Sequence, residues 1–176
     1  SNINPAPALA SEVFNEMTPI VVNGVMYMPS GNRVVALEPE TGKEIWSYAL
    51  TSGLASFRGV AYWPGDAANP PRILFTSLKK LVALDARTGT LDTKFGNKGE
   101  ITLSSPYTGV PLIYKNMIFM GAMIFGPGEQ HLDAGTYIAT GPPMNPAAYD
   151  ARSCDKLWEF HSIPLPGEFG NETWLD

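Results

Sequence analysis

Cysteine is nearly missing from this chain. Cys154 is the only one in 176 residues, which excludes an internal disulfide and says little about compartment. Long apolar runs are missing as well. None approaches the ~18 residues of a membrane-spanning helix, and residues 1–10 carry no basic and apolar leader. Positive charge is scarce and scattered. Lys and Arg number 12 against 17 Asp and Glu, for a net charge of −5. A nucleic-acid partner is disfavoured, because neutralising phosphates needs grouped cations. The two histidines, His131 and His161, are well separated and read as solvated or packed side chains before they read as metal ligands. No stretch reads as a helix of useful length.

Turn formers and apolar residues are abundant. The chain has 17 Gly and 16 Pro, and 44% of it is hydrophobic. That combination fits many short strands joined by tight turns around a core, and it argues against disorder. The length suits one domain.

The chain also repeats itself, a signal that outranks local propensity. The first copy runs Val35-Ala36-Leu37-Glu38-Pro39-Glu40-Thr41-Gly42 and reaches Trp46. The second runs Val82-Ala83-Leu84-Asp85-Ala86-Arg87-Thr88-Gly89 and continues to Thr93 without a tryptophan. The third runs Ala147-Ala148-Tyr149-Asp150-Ala151-Arg152-Ser153-Cys154 and reaches Trp158. The alternating apolar residues before the acid predict a strand. The acid can accept hydrogen bonds from the N–H groups of the next turn. Gly42 and Gly89 supply the positive φ at which the chain reverses. A large indole at a fixed place in a repeat can bury against the next repeat. Cys154 replaces the turn glycine, and left-handed geometry costs a side-chain-bearing residue ~1–2 kcal/mol, so that turn is expected to be altered.

Strand by strand, the first repeat predicts 18–22, 25–28, 33–37 and 44–48, with Asn23-Gly24 as the hairpin signal between the first two. The second predicts 59–63, 73–76, 80–84 and a weaker strand near Leu91. The third predicts 110–113, 117–120, 147–150 and 157–161. Its middle connection, roughly 123–146, is long and rich in Gly and Pro, as functional or mobile loops are. Four antiparallel strands per repeat make an all-β chain of β-propeller blades. The expected blades cover about residues 16–50, 57–95 and 108–162, and 163–176 leads toward a further blade.

Four segments together resemble one family. The repeat itself, acid-x-x-Thr-Gly followed by tryptophan, is similar to the tryptophan-docking repeat of PQQ-dependent quinoprotein dehydrogenases, the methanol, alcohol and membrane-type glucose dehydrogenases. Arg58-Gly59-Val60-Ala61-Tyr62-Trp63-Pro64-Gly65-Asp66, with Pro70-Pro71-Arg72-Ile73 behind it, resembles a second family segment. Pro19-Ile20-Val21-Val22-Asn23-Gly24-Val25-Met26-Tyr27 resembles the family's first blade. Trp158-Glu159-Phe160-His161-Ser162-Ile163-Pro164-Leu165-Pro166-Gly167-Glu168 looks most like the glucose-type branch. These matches run from Glu16 to Trp174 in family order. The resemblance implies about three blades of an eight-bladed propeller, beginning at the family's first blade. Further blades, or self-association, would then cover the two open blade faces.

The resemblance also implies a site. PQQ is a planar tricarboxylate quinone, and its binding calls for cations, hydroxyls and flat groups. By position, Glu16, Arg58 and Thr108 match the family residues that contact it. The guanidinium of Arg58 would face the quinone oxygens. Departures stand beside these matches. Ser52 and Gly53 occupy the places of the adjacent cysteines of the alcohol enzymes, and Leu54 that of a histidine of some glucose-type members. Glu129 is the nearest candidate for the Ca²⁺-ligand glutamate, at the wrong offset. The catalytic aspartate would lie on a later blade, so this chain alone is expected to lack activity. The activity implied is oxidation of a small alcohol or a sugar hydroxyl to a carbonyl, in the periplasm, with Ca²⁺ beside the PQQ. A non-catalytic propeller scaffold that binds protein partners shares the repeat and is the competing expectation.

Overall fold

The computed structural model describes residues 17–56, 58–104, 107, 109–121 and 145–173. Among them are twelve strands, one 3-10 turn at Asn171–Thr173 and no α-helix. The strands form three antiparallel sheets of four, each in chain order. The first sheet is β1 (Ile20–Val22), β2 (Val25–Ser30), β3 (Arg33–Leu37) and β4 (Glu44–Ala49). The second is β5 (Ala61–Trp63), β6 (Arg72–Ser77), β7 (Lys80–Asp85) and β8 (Glu100–Thr102). The third is β9 (Leu112–Tyr114), β10 (Met117–Met120), β11 (Ala147–Asp150) and β12 (Lys156–Glu159).

Local chemistry sets these elements. Asn23 and Gly24 take φ of 51° and 77°, the paired positive values of a two-residue hairpin turn whose twist matches its strands. The acid turns share one geometry. Gly42, Gly89 and Cys154 donate from their N–H groups to Glu38, Asp85 and Asp150 carbonyls at 2.8, 2.9 and 2.9 Å. Asp85 and Asp150 also accept the N–H of the residue two ahead, Arg87 at 2.9 Å and Arg152 at 2.7 Å. Glu38 instead accepts the Thr41 hydroxyl at 2.9 Å, being one methylene too long for the same turn.

Two expectations are corrected. The turn at Cys154 is not altered: its φ is 71°, the same as at Gly42 and Gly89. The cysteine accepts the left-handed backbone because its side chain has a buried place to go, as shown below. The fourth strand of the second sheet is not near Leu91. Leu91 makes only an isolated bridge to Leu84, and β8 follows after the intervening segment, paired with β7 through Val82↔Glu100.

The core lies between sheets. One cluster joins the first and second sheets through Tyr27, Val34, Ala36, Trp46, Ile73, Phe75, Val82 and Leu84. The other joins the second and third through Trp63, Leu74, Leu81, Phe95, Ile118, Met120 and Cys154. Strand β6 therefore feeds both. Its residues are buried throughout, with Ile73 and Phe75 on one face and Leu74 on the other. A strand covered on both faces loses the alternation of apolar and polar residues that usually marks a strand in sequence.

At the first junction, Trp46 of β4 crosses onto the second sheet. Its Nε1–H donates to the Ala86 carbonyl at 3.0 Å, and its ring covers Gly89 so closely that a Cβ there would sit 2.4 Å from Cε3. Tyr27 packs beside it at 5.9 Å between centroids and donates to the same carbonyl at 3.3 Å. The equivalent indole of the third sheet, Trp158, is 45% exposed and meets no neighbouring sheet among the described residues.

Candidate functional site

The first strands of the three sheets approach one another at their starts. Thr18 forms a parallel bridge to Gly59, and its N–H donates to the Arg58 carbonyl at 3.2 Å. A Cβ built on Gly59 would lie 2.9 Å from the Thr18 carbonyl oxygen and 3.1 Å from Val110 Cγ2. Its φ of 141° belongs to a region that only glycine occupies readily. Gly59 is thus the point where backbone leading into all three sheets converges. We expect Gly59→Ala to destabilise the chain by ~2–3 kcal/mol, from strain plus overpacking. A urea midpoint within error of the wild type would contradict this tight approach.

Two buried hydroxyls tie the third sheet's approach to the second. Ser56 and Thr76 both donate to the Gly109 carbonyl, at 3.5 and 3.4 Å, and Ser56 accepts the Arg58 N–H at 3.4 Å. All three contacts are long, so the close backbone packing at Gly59 fixes this region more firmly than they do. Arg58 itself is exposed, and just before it Leu54 is 57% exposed.

Of the three residues predicted to contact a cofactor, Arg58 lies at this convergence. Glu16 and Thr108 are outside the described residues; the backbone that follows each, at Thr18 and Gly109, reaches the same place. Glu129 and His131 are also outside them. At this convergence Arg58 presents an exposed permanent cation, whereas the Ser56 and Thr76 hydroxyls are buried and spent on the Gly109 carbonyl. Among the described residues no group of three or more His, Cys, Asp or Glu side chains could hold a metal ion.

The rest of the motif around Arg58 does something else. Trp63 is fully buried, and its Nε1–H donates to Asn116 Oδ1 on the β9–β10 turn at 3.2 Å. Asp66 Oδ1 accepts Ala68 N–H, Asn69 N–H and Asn69 Nδ2, each at 2.9 Å, while Oδ2 meets Arg152 Nε at 2.8 Å. Arg152 above all, with these turn donors, holds the Asp66 carboxyl far below the usual carboxylate range. Both residues therefore bind the second sheet to the third. His161 serves a local structure instead: its Nδ1 lies 2.7 Å from Glu168 Oε1, and Glu168 Oε2 accepts the Leu165 N–H at 2.7 Å, so this motif closes a local loop.

A cleft of about 570 Å³ opens between the second and third sheets, lined by Leu103, Tyr107, Met120, Tyr149, Cys154 and Glu159 among others. Burial pushes the Cys154 thiol up to about 12, although Arg72 nearby pulls it down. A thiol so rarely ionised is a poor nucleophile.

Three sequential four-stranded antiparallel sheets, packed face to face with their first strands converging, define a β-propeller segment. Comparison with known proteins makes the class specific. The family model for the "PQQ: Glucose/ethanol/alcohol dehydrogenase, beta-propeller domain" matches residues 2–176, and the chain belongs to that family. It is 31% identical over 163 residues to a quinohemoprotein alcohol dehydrogenase of Comamonas testosteroni, covering 85% of this chain and 20% of that protein. It is 29% identical over 175 residues to methanol dehydrogenase [cytochrome c] subunit 1 of Methylobacterium organophilum, covering 91% and 26%. Among solved structures it is similar to a quinohemoprotein alcohol dehydrogenase of Pseudomonas putida HK5, with a TM-score of 0.64 and 27% identity over 90% of this chain and 23% of that one. The chain thus spans about a fifth to a quarter of the length of these relatives.

Proposed function

We propose that this chain supplies part of the PQQ site of a quinoprotein dehydrogenase that oxidises an alcohol or sugar hydroxyl to a carbonyl. The observation that carries the reading is the exposed arginine, Arg58, at the point where the three sheets converge. Arg58 presents a fixed positive charge and a planar fork of donors to the quinone oxygens. Glu16 and Thr108 hold the ring edge and a carboxylate. Leu54, at the place of a histidine in some glucose-type members, offers an exposed apolar surface. When bound, the quinone would supply the two-electron acceptor for the C–H–OH oxidation, and Ca²⁺ would supply Lewis acidity. The general base comes from a blade outside this chain, and the whole enzyme works in the periplasm. The relatives compared are alcohol dehydrogenases, which favours an alcohol over a sugar as substrate.

The test is PQQ titration of the full-length protein in the presence of Ca²⁺, followed by tryptophan fluorescence. The wild type should saturate. Arg58→Met should weaken binding by at least about tenfold, roughly one charge-assisted hydrogen bond, and Arg58→Lys should recover part of the loss. Equal affinity in all three proteins removes Arg58 from the site. No response from the wild type supports the scaffold that binds only protein partners.

A further inference from the structure

The second junction lacks what holds the first. No tryptophan follows the Thr88-Gly89 turn. In the first and third sheets the indole stands opposite the alanine that precedes the acid turn, as Ala36↔Trp46 and Ala148↔Trp158. The equivalent Ala83 is flanked differently: its carbonyl accepts the Asp92 N–H at 3.0 Å, and its N–H donates to Gly99 at 2.9 Å. An aspartate and a short inserted loop occupy the register of the indole.

We propose that Arg72 is the docking residue of the second junction, doing there what Trp46 does at the first. Arg72 begins β6, and its side chain is fully buried. Its NH1 donates to the carbonyl of Ala151, the residue that follows the acid in the third repeat, and to that of Arg152 at 2.8 Å. Ala86 holds the same position in the second repeat and accepts Trp46 Nε1. The two sheets thus grip equivalent carbonyls with donors of different chemistry. Inside the second sheet the guanidinium is held at Nε and at its faces, while Nη2 is buried without a hydrogen-bond partner among the described residues. Nε pairs with Asp92 at 2.7 Å, and the plane lies 5.0 Å from the Trp63 centroid and 5.2 Å from that of Phe95. Asp92 and Phe95 belong to the inserted segment, so the insertion that delays β8 also builds the arginine's seat.

This assignment explains Cys154. At the first junction the indole fills the space over Gly89 and leaves no room for a Cβ. At the second no indole reaches that turn, and the thiol side chain of Cys154 is buried there instead, 6% exposed. Glycine at one turn and cysteine at the other follow from whether a ring lies above. Arg72 also shares a single purpose with Trp63 and Asp66. All three residues reach from the second sheet to the third.

Cys154 makes the proposal directly measurable, because the chain has one cysteine and it sits at this junction. Native-state labelling with an aromatic disulfide reagent reads opening of the junction, and urea unfolding reads global stability. Arg72→Met should lower the urea midpoint by at least ~1 M and speed Cys154 labelling by about tenfold more than its loss of global stability accounts for. Trp46→Phe, which loosens the first junction, should speed labelling only as much as its lost stability requires. Asp92→Asn keeps the shape of the seat and should give an intermediate gain; it also serves if Arg72→Met does not fold. The proposal is overturned if Arg72→Met, or Asp92→Asn in its place, leaves labelling at the rate expected from global unfolding alone.

Discussion

Substituting Gly89 with alanine should cost about 3 kcal/mol, whereas the same change at Gly42 should cost about 1. Both glycines have φ of 71°, so both pay the left-handed strain of ~1–2 kcal/mol. Their surroundings differ. A Cβ on Gly42 meets nothing within 4 Å. One on Gly89 would lie 2.4 Å from Trp46 Cε3 and 2.6 Å from Cδ2, inside a ring that is 9% exposed and pinned by its hydrogen bond to Ala86. The indole cannot withdraw without surrendering that bond and its contact with Tyr27, and overpacking of this kind adds ~1–3 kcal/mol. Urea denaturation of the two variants measures the difference. With a slope of roughly 1–3 kcal/mol per molar, Gly89→Ala should unfold about 1 M before Gly42→Ala. Equal midpoints would mean that the ring does not sit on the turn. Gly89→Ala combined with Trp46→Leu should cost less than the sum, because the clash is removed once.

Much of this arrangement was legible in the residues. Asn23-Gly24 placed the first hairpin because two positive φ values in succession leave few alternatives to that dipeptide. The short apolar runs at Val34–Ala36 and Ile118–Met120, each bounded by turn signals, marked strands. The acid turn was legible because its side chain closes its own hydrogen bonds locally, independent of tertiary context. What stayed hidden depends on contacts between distant segments. Strand β8 is three residues long and lacks the indole that marks the fourth strand elsewhere, so Leu91, nearer the turn, stood in its place. Cys154 appeared incompatible with its turn because local strain was visible and the vacancy beside it was not. Arg72 lies within an apolar stretch after two prolines, and that was its one signal: a cation where β6 is buried on both faces must have an acid and carbonyls waiting for it.

Of the candidate site, only the position of Arg58 falls among the described residues. Arg58, singled out by its motif, does stand where the three sheets converge. The motif as a whole was a weaker pointer to a cofactor than its length suggested. Trp63, Asp66 and Arg72 all serve the junction with the third sheet, so a propeller that bound no cofactor would have cause to keep them. The distinction between a dehydrogenase and a scaffold therefore falls on Arg58 and its neighbours at the axis, and not on the segment that contains it.

On its own, this 176-residue chain should self-associate, and the effect should be large. The outer face of the third sheet exposes Leu112 at 66%, Tyr114 at 55%, Leu157 at 47% and Trp158 at 45%, and beyond it Phe160 at 63%. Apolar surface of that extent on a sheet face is costly in water, at ~25 cal/mol per Å² that could be buried. At the opposite end the Thr41-Gly42 turn has the shape that receives an indole at the first junction, with nothing near Gly42. The two ends are unlike, so copies joining through them would stack head to tail. Such contacts close into a ring only if the rotation between copies permits and otherwise grow open-ended. Sedimentation velocity from 1 to about 100 μM should show mass rising with concentration, the mark of reversible apolar association. Trp158→Glu with Phe160→Glu should return the chain to monomer by placing charges where an interface would desolvate them. Gly42→Trp should weaken association as well, by filling the receiving turn from its own side. A wild-type chain that stays monomeric across that range, while folded, would mean that its exposed faces are too small or too mobile to hold a neighbouring blade.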